Sequence, residues 1–240
     1  MHHTTFIPGK DAALESTINT LQGKLQQLGF HIEERSWLNP IDGIWSVHIR
    51  DRDCPLLFTN GKGATRLACL ASALGEFFER LSTNYFWTHF YLGPDIASRD
   101  FVHYPQERWF DVPEDGSWPD SERGICAIPY VRQRDGQTVY FPVNIIGNLY
   151  VSNGMSAGNN ALEAKAQALS EVFERAIKAR IISEGLCLPD VPEAVIDRYP
   201  RIARSIAELR EAGFGILVKD ASLGGQYPVM NVTLLNPQDQ

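Results

Sequence analysis

Two stretches decide how this chain is read. The first is Thr59-Asn60-Gly61-Lys62-Gly63-Ala64-Thr65, followed by Ser72 and then Glu76-Phe77-Phe78-Glu79-Arg80. The second is Ser152-Asn153-Gly154-Met155-Ser156-Ala157-Gly158-Asn159, followed by Glu163, Gln167 and Glu171-Val172-Phe173-Glu174-Arg175. Each reads as a polar, glycine-bearing loop that opens a helix, and each helix carries Glu-x-Phe-Glu-Arg. Residues three and four apart share a helix face. Ser72, Glu76 and Glu79 therefore form one polar stripe, and Glu163, Gln167, Glu171 and Glu174 form another. Leu70, Leu74, Phe77 and Leu81 on the first helix, and Leu169, Val172, Phe173 and Ile177 on the second, predict apolar faces turned to a core. Glutamate is also an ordinary helix former, and Glu-x-x-Glu-Arg occurs on solvated faces. The repetition of loop and helix together favours two halves of one site.

If the stripes face each other, five carboxylates converge: Glu76, Glu79, Glu163, Glu171 and Glu174. Like charges ~4 Å apart repel by ~4 kcal/mol per pair at an effective dielectric near 20, so the cluster needs cations. Carboxylate ligands without Cys or His at metal spacing favour Mg²⁺ over zinc, and Mg²⁺ is commonly shared with substrate phosphates. The order Gly-x-x-x-x-Gly-Lys-Ser/Thr is absent, and no Gly-x-Gly-x-x-Gly follows a strand. The expected phosphate ligands are instead backbone amides of loops 59–65 and 152–159 at helix N-termini, with Ser156 and Asn159 as candidate caps.

The motifs Phe6-Ile7-Pro8-Gly9-Lys10-Asp11, Phe58-Thr59-Asn60-Gly61-Lys62-Gly63, Ser72-Ala73-Leu74-Gly75-Glu76 with Glu79-Arg80, Asn144-Ile145-Ile146-Gly147-Asn148, Ser152 to Asn159 and Leu169 to Arg175 occur in this order. The chain so marked resembles the YcaO family over nearly all its length, and most of all the family's stand-alone bacterial members. The resemblance implies an ATP-binding fold of its own type, in which glutamates from several helices hold Mg²⁺ and ATP. It places Glu76, Glu79, Glu171 and Glu174 among the Mg²⁺ ligands, and Glu163 as a ligand or nucleotide contact. It also places Lys10, Ser72, Ser156, Asn159 and Arg175 at the ATP. Family members phosphorylate an amide oxygen, giving azolines, thioamides or amidines. The stand-alone bacterial type is associated with beta-methylthiolation of an aspartate on a small-subunit ribosomal protein, assisting a radical methylthiotransferase. A homodimer is also implied. Against the family pattern, the sequence stops at Asn236-Pro237-Gln238-Asp239-Gln240, before a further helix bearing Arg and Glu, and the stretch from about Pro105 to Arg123 is short.

A net charge of −7 over 240 residues argues against direct nucleic-acid binding, which rests on basic residues. Any ribosomal association is then expected through protein. No apolar run of eighteen residues or signal-like N-terminus is present, so no membrane association and a cytoplasmic location are expected. Cys54, Cys69, Cys126 and Cys187 lack metal or redox spacing and read as reduced structural thiols.

Residues 11–29 predict an amphipathic helix through Leu14, Ile18, Leu21, Leu25 and Leu28, either packed on the core or lent to a coiled coil. Residues 30–37 and 44–50 predict a hairpin turning at 39–43, with Trp45, Val47 and Ile49 on one face, and Leu56-Leu57-Phe58 a third apolar run. A helix over about 65–92 ends in aromatics that either pack in the core or stack a base, with His89 and His103 structural or on the surface. Strands are expected at 125–131 and 138–151 around the turn Arg134-Asp135-Gly136. A helix over 160–184, another over 201–212 and strands at 214–219 and 228–235 follow. The fold class is mixed α/β, with sheets packed by helices and two pseudo-repeated half-sites, in one domain over 1–240 that is incomplete at its C-terminus. Two functions fit: Mg²⁺-dependent ATP use on a peptide or protein, or a non-catalytic adaptor docking a partner enzyme or ribosomal protein.

Overall fold

A computed structural model describes residues 4–83, 85–88, 108–110, 125–142 and 152–236. The chain divides into two compact units, one of Met1–Glu76 with Ser156–Gln240 and the other of Phe77–Met155. The architecture is mixed α/β, with antiparallel sheets throughout the described residues.

In the first unit, helix α1 (Leu14–Gln27) buries Leu14, Ile18 and Leu25, so its apolar stripe serves the chain's own core. Strands β1 (Ile32–Ile41), β2 (Ile44–Asp51) and β3 (Phe58–Gly63) form a sheet in that order. Alternation on β2 sends Val47 and Ile49 inward. Trp45 stays half-buried, edge-on to Trp37 at 6.1 Å, and the Arg66 guanidinium covers Trp37 at 4.3 Å.

Strand β3 corrects the reading of residues 59–65 as a loop. It pairs with β2 from Phe58 to Gly63, and helix α2 (Arg66–Ser82) lies on its inner face. The Thr59 hydroxyl donates to the Ala73 carbonyl at 2.8 Å, and the Cys69 thiol donates to the Gly61 carbonyl at 3.2 Å. A Cβ on Gly61 would stand 2.1 Å from the Cys69 carbonyl oxygen. The glycine is there so that a helix backbone can touch a strand backbone, and not to cradle a phosphate. The true connection is Ala64–Thr65, with the Thr65 hydroxyl accepting from the Ala68 amide at 3.1 Å.

After the short helix α3 (Tyr85–Thr88) of the second unit, the first unit continues with α4 (Ala161–Glu184), α5 (Glu193–Ile196), α6 (Pro200–Glu211) and an antiparallel pair of β7 (Gly215–Asp220) and β8 (Met230–Leu235). Helix α6 packs on β7. The expected core face of α4 is a correction: Ile177 is buried, but Leu169, Val172 and Phe173 are exposed. The faces of Met230, Val232 and Leu234 on β8 are exposed as well.

In the second unit, α2 ends at Ser82 rather than near residue 92, and a separate turn α3 (Tyr85–Thr88) follows. Phe77 stacks on Phe86 with centroids 4.9 Å apart, and Arg80 lies over Tyr85 at 4.2 Å. These described aromatics pack and do not form an open stacking surface. Strands β4 (Arg108–Phe110), β5 (Ile125–Val131) and β6 (Thr138–Pro142) form an antiparallel sheet, with the expected turn at 132–137 held by Arg132 on Asp135 at 2.5 Å. His89, His103, the Asn144–Asn148 motif, residues 143–151 of the expected strand, most of the 105–123 stretch and the final 237–240 lie outside the described residues, as does the Cys126 side chain.

Candidate functional site

The site is built where two distant segments meet. The N-terminal segment is a closed loop: Leu14 N–H donates to the Thr5 carbonyl at 2.9 Å, and the Thr5 amide and hydroxyl donate to the Glu15 carboxylate at 2.9 and 2.8 Å. Pro8-Gly9 turns the chain, and the loop carries Lys10 and Asp11. The second segment is the approach to α4. Asn160 is its N-cap, accepting from the Leu162 and Glu163 amides at 2.9 and 3.0 Å. That corrects the expectation of Ser156 or Asn159 as caps. The Ser156 hydroxyl instead donates to the Ala164 carbonyl at 2.5 Å, and Asn159 braces Glu163. Gly158 allows this tight packing, since a Cβ there would lie 2.6 Å from the Ala164 nitrogen.

Glu163 is the hub, with only 7% of its surface exposed. Its carboxylate accepts from the Asp11 amide at 2.5 Å, from the Asn159 amide at 3.0 Å and from the Asn159 side-chain amide at 3.2 and 3.0 Å. The Lys10 ammonium stands 3.8 Å away. Burial alone would raise this carboxyl, but the Asp11 and Asn159 donors, helped by Lys10, hold it below its ordinary value of 4.5. Thr17, on α1, donates to the Asn159 side-chain oxygen at 2.7 Å, which turns the Asn159 amide nitrogen toward Glu163. Asn160 also donates to the Asp11 carboxylate at 2.5 Å.

Of the residues expected from sequence, Lys10, Asn159 and Glu163 are thus brought together, and Ser156 is fixed beside them on the first turn of α4. Gln167 donates to Glu171 at 3.3 Å, while Glu174 and Arg175 are exposed further along the same helix. Ser72 is exposed and Glu76 half-buried on α2, and Glu79 lies against Arg80 at 3.4 Å. Among the described residues, no three Asp, Glu, His or Cys side chains stand close enough together to hold a metal ion. The glutamates are grouped as helix pairs, Glu76 with Glu79 and Glu171 with Glu174. Pairs of hard carboxylate oxygens still suit Mg²⁺, which takes one or two protein carboxylates and completes its shell with phosphate and water. Glu163 is less suited, because its oxygens already serve amide donors.

Asp11, Thr17 and Asn160 were missed as site residues. Asn160-x-x-Glu163 is a capping-box spacing, a signal that could have found Asn160. Nothing local marks Thr17. A cleft of about 420 Å³ lined by Val191, Val195, Tyr227, Val229 and Met230 contains none of the expected site residues. Among the described residues, no helix is long and apolar enough to cross a membrane.

The family model described as YcaO cyclodehydratase, ATP- and Mg²⁺-binding, matches residues 60–240. An uncharacterized protein of Haemophilus influenzae is 56% identical over 268 aligned positions, covering 100% of this chain and 46% of that protein. The ribosomal protein S12 methylthiotransferase accessory factor YcaO of Escherichia coli is 55% identical, covering 97% of this chain and 45% of that protein. The chain therefore spans less than half the length of these relatives. Among solved structures, YcaO from Methanopyrus kandleri bound with AMPPCP and Mg²⁺ aligns with a TM-score of 0.53 at 18% identity, over 91% of this chain and 58% of that one. A heterocyclase in complex with substrate and cofactor aligns with a TM-score of 0.59 at 17% identity, over 92% of this chain and 35% of that one. The mixed α/β fold is common to all three, and this chain belongs to the YcaO family.

Proposed function

We propose that this chain is the nucleotide-binding part of a Mg²⁺-dependent, ATP-using protein that assists modification of a protein substrate. One observation carries the reading: an ammonium, two backbone N–H groups and a side-chain amide, drawn from segments some 150 residues apart, all converge on Glu163 at the N-terminus of α4. The amide donors are engaged by the Glu163 carboxylate, and the Lys10 ammonium, 3.8 Å away beside the positive end of the helix, is the group a phosphate oxygen can recruit. Lys10, Ser72, Ser156, Asn159 and Arg175 are assigned to the nucleotide by family likeness, Lys10 and Asn159 lying in this cluster. Glu76, Glu79, Glu171 and Glu174 are assigned to Mg²⁺, and Glu163 holds the loop, joining the metal only by releasing its amide donors. Bound Mg²⁺ and ATP supply a phosphoryl group and the means to activate an amide oxygen. The chain's own part is to position and to offset charge through Lys10 and Arg175.

The Escherichia coli relative is named as an accessory factor of a ribosomal protein S12 methylthiotransferase, which supports a ribosomal protein as the substrate. Beta-methylthiolation of an aspartate, alongside a radical methylthiotransferase, is the specific reaction we assign by family resemblance. A cytoplasmic homodimer is the setting we assign. Calorimetric titration with a non-hydrolysable ATP analogue, with and without Mg²⁺, tests the site. Binding that needs Mg²⁺ and is lost in Glu171→Gln is expected, whereas Mg²⁺-dependent binding that survives in this variant would sink the metal assignment. The exposed apolar residues of α4 and β8 favour a second reading, an adaptor that docks a partner. Support of the partner's reaction by a Glu76→Gln, Glu171→Gln double variant would select it.

A further inference from the structure

We infer that Asp11 and Asn160 are a positioning pair that sets the Lys10 ammonium at the nucleotide site, an inference that rests on the ATP-binding reading above. Asp11 is a poor candidate for a phosphate contact, because its carboxylate has the wrong sign. Its carboxylate is instead taken by the Asn160 side-chain amide at 2.5 Å, while its backbone N–H reaches Glu163 at the same distance. Asn160 is bound at both ends of its side chain. The oxygen caps α4 through the Leu162 and Glu163 amides, and the nitrogen holds Asp11. The pair therefore ties the tip of the N-terminal loop to the first turn of α4. Lys10 precedes Asp11 directly, so the tie also places its ammonium. At 3.8 Å from Glu163 that ammonium forms an ion pair longer than a hydrogen bond, a contact that a phosphate oxygen can replace.

The sign of one substitution separates positioning from plain electrostatics. Asp11→Ala removes a negative charge near the nucleotide, which by Coulomb attraction alone would tighten binding of a polyphosphate. The positioning role predicts the opposite, about tenfold weaker binding, the lower end for losing a hydrogen bond to a charged group. Asn160→Asp keeps the helix cap but sets two carboxylates against each other, and is expected to weaken binding at least as much. Asn160→Ser, which caps but cannot reach Asp11, replaces it should it fail to fold.

The reciprocal double variant, Asp11→Asn with Asn160→Asp, restores a hydrogen bond of reversed direction at unchanged net charge. It is expected to bind within about threefold of wild type, where independent losses would add. The measurement is calorimetric titration of the full chain with Mg²⁺ and a non-hydrolysable ATP analogue, beside melting curves that report folding. Single variants that bind as wild type does, or a double variant as weak as the sum of its parts, would overturn the positioning role alone. A folded wild-type chain that takes up no nucleotide would overturn the functional reading, and the positioning role with it.

Discussion

Helices α2 and α4 carry the same Glu-x-Phe-Glu-Arg sequence and end up in opposite surroundings. On α2 the faces of Cys69, Ala73, Leu74 and Phe77 are wholly buried. On α4 the counterpart of Phe77 is Val172, 47% exposed, and Phe173, the counterpart of the half-buried Phe78, is 46% exposed with Tyr227 as a ring neighbour at 6.0 Å. Ile177 and Glu163 are the buried side chains of α4, and Glu163 is polar. The motif thus specifies a helix with an acidic stripe and an apolar stripe, and the neighbours decide which stripe holds the helix in place. Strand β3 holds α2 by its apolar side. At its N-terminus, α4 is held by hydrogen bonds to the N-terminal loop.

Truncating Phe77 and its counterpart Val172 would break this contrast most directly. Phe77→Ala should cost about 3–5 kcal/mol, the range for a buried aromatic, and Val172→Ala less than about 1 kcal/mol, both read from denaturant midpoints. Equal losses would mean that the α4 face is covered in solution. Two of the close-packed glycines, Gly61 and Gly158, sharpen the contrast further. Gly61→Ala forces a Cβ against the Cys69 carbonyl and should cost about 3 kcal/mol of global stability, the upper end for overpacking. Gly158→Ala should act locally, freeing amide hydrogen exchange at Asn159 and Asn160 with a smaller change in the melting temperature.

The smallest effect concerns pH. Because the folded pKa of Glu163 lies below 4.5, the hold it gives is complete above that value and is lost only as pH falls through the lowered one. Amide protection at Asp11 and Asn159 should therefore stay flat from neutral pH to about 4.5 and fall in more acid solution, while the Thr59 region of β3 shows no matching step until global unfolding. Loss of protection already near neutral pH would mean that Glu163 is not the acceptor.

Much of this was legible in the sequence, and the failures have a common cause. The spacing of Leu14, Ile18 and Leu25 gave α1, alternation gave β2, and Glu163 to Glu174 lie on α4 as expected. The Lys10, Asn159 and Glu163 cluster was named through family motifs, although its geometry was not. Thr59 to Gly63 was read as a loop because two glycines in five residues usually mark one, whereas Gly61 answers to a helix lying across the strand, a contact no local window contains. The apolar stripe of α4 was read as buried because periodicity shows which side of a helix is apolar and not what meets it. Asn159 and Asn160 are equally good caps by composition. Only the chain path shows that the second caps the helix while the first braces Glu163.

The contacts of Asp11 with Glu163 and Asn160 join residues 152 and 149 apart in sequence. A growing chain can complete its first sheet and lay α2 on β3 long before those partners exist. At 5–20 residues per second, synthesis leaves the N-terminal loop waiting roughly 10–30 s for α4 to emerge. Through that interval Lys10 and Asp11 have no site to belong to. The N-terminal loop is thus closed only once α4 has been made, and a ligand or partner that needs Lys10 and Asp11 in this arrangement can engage them only then.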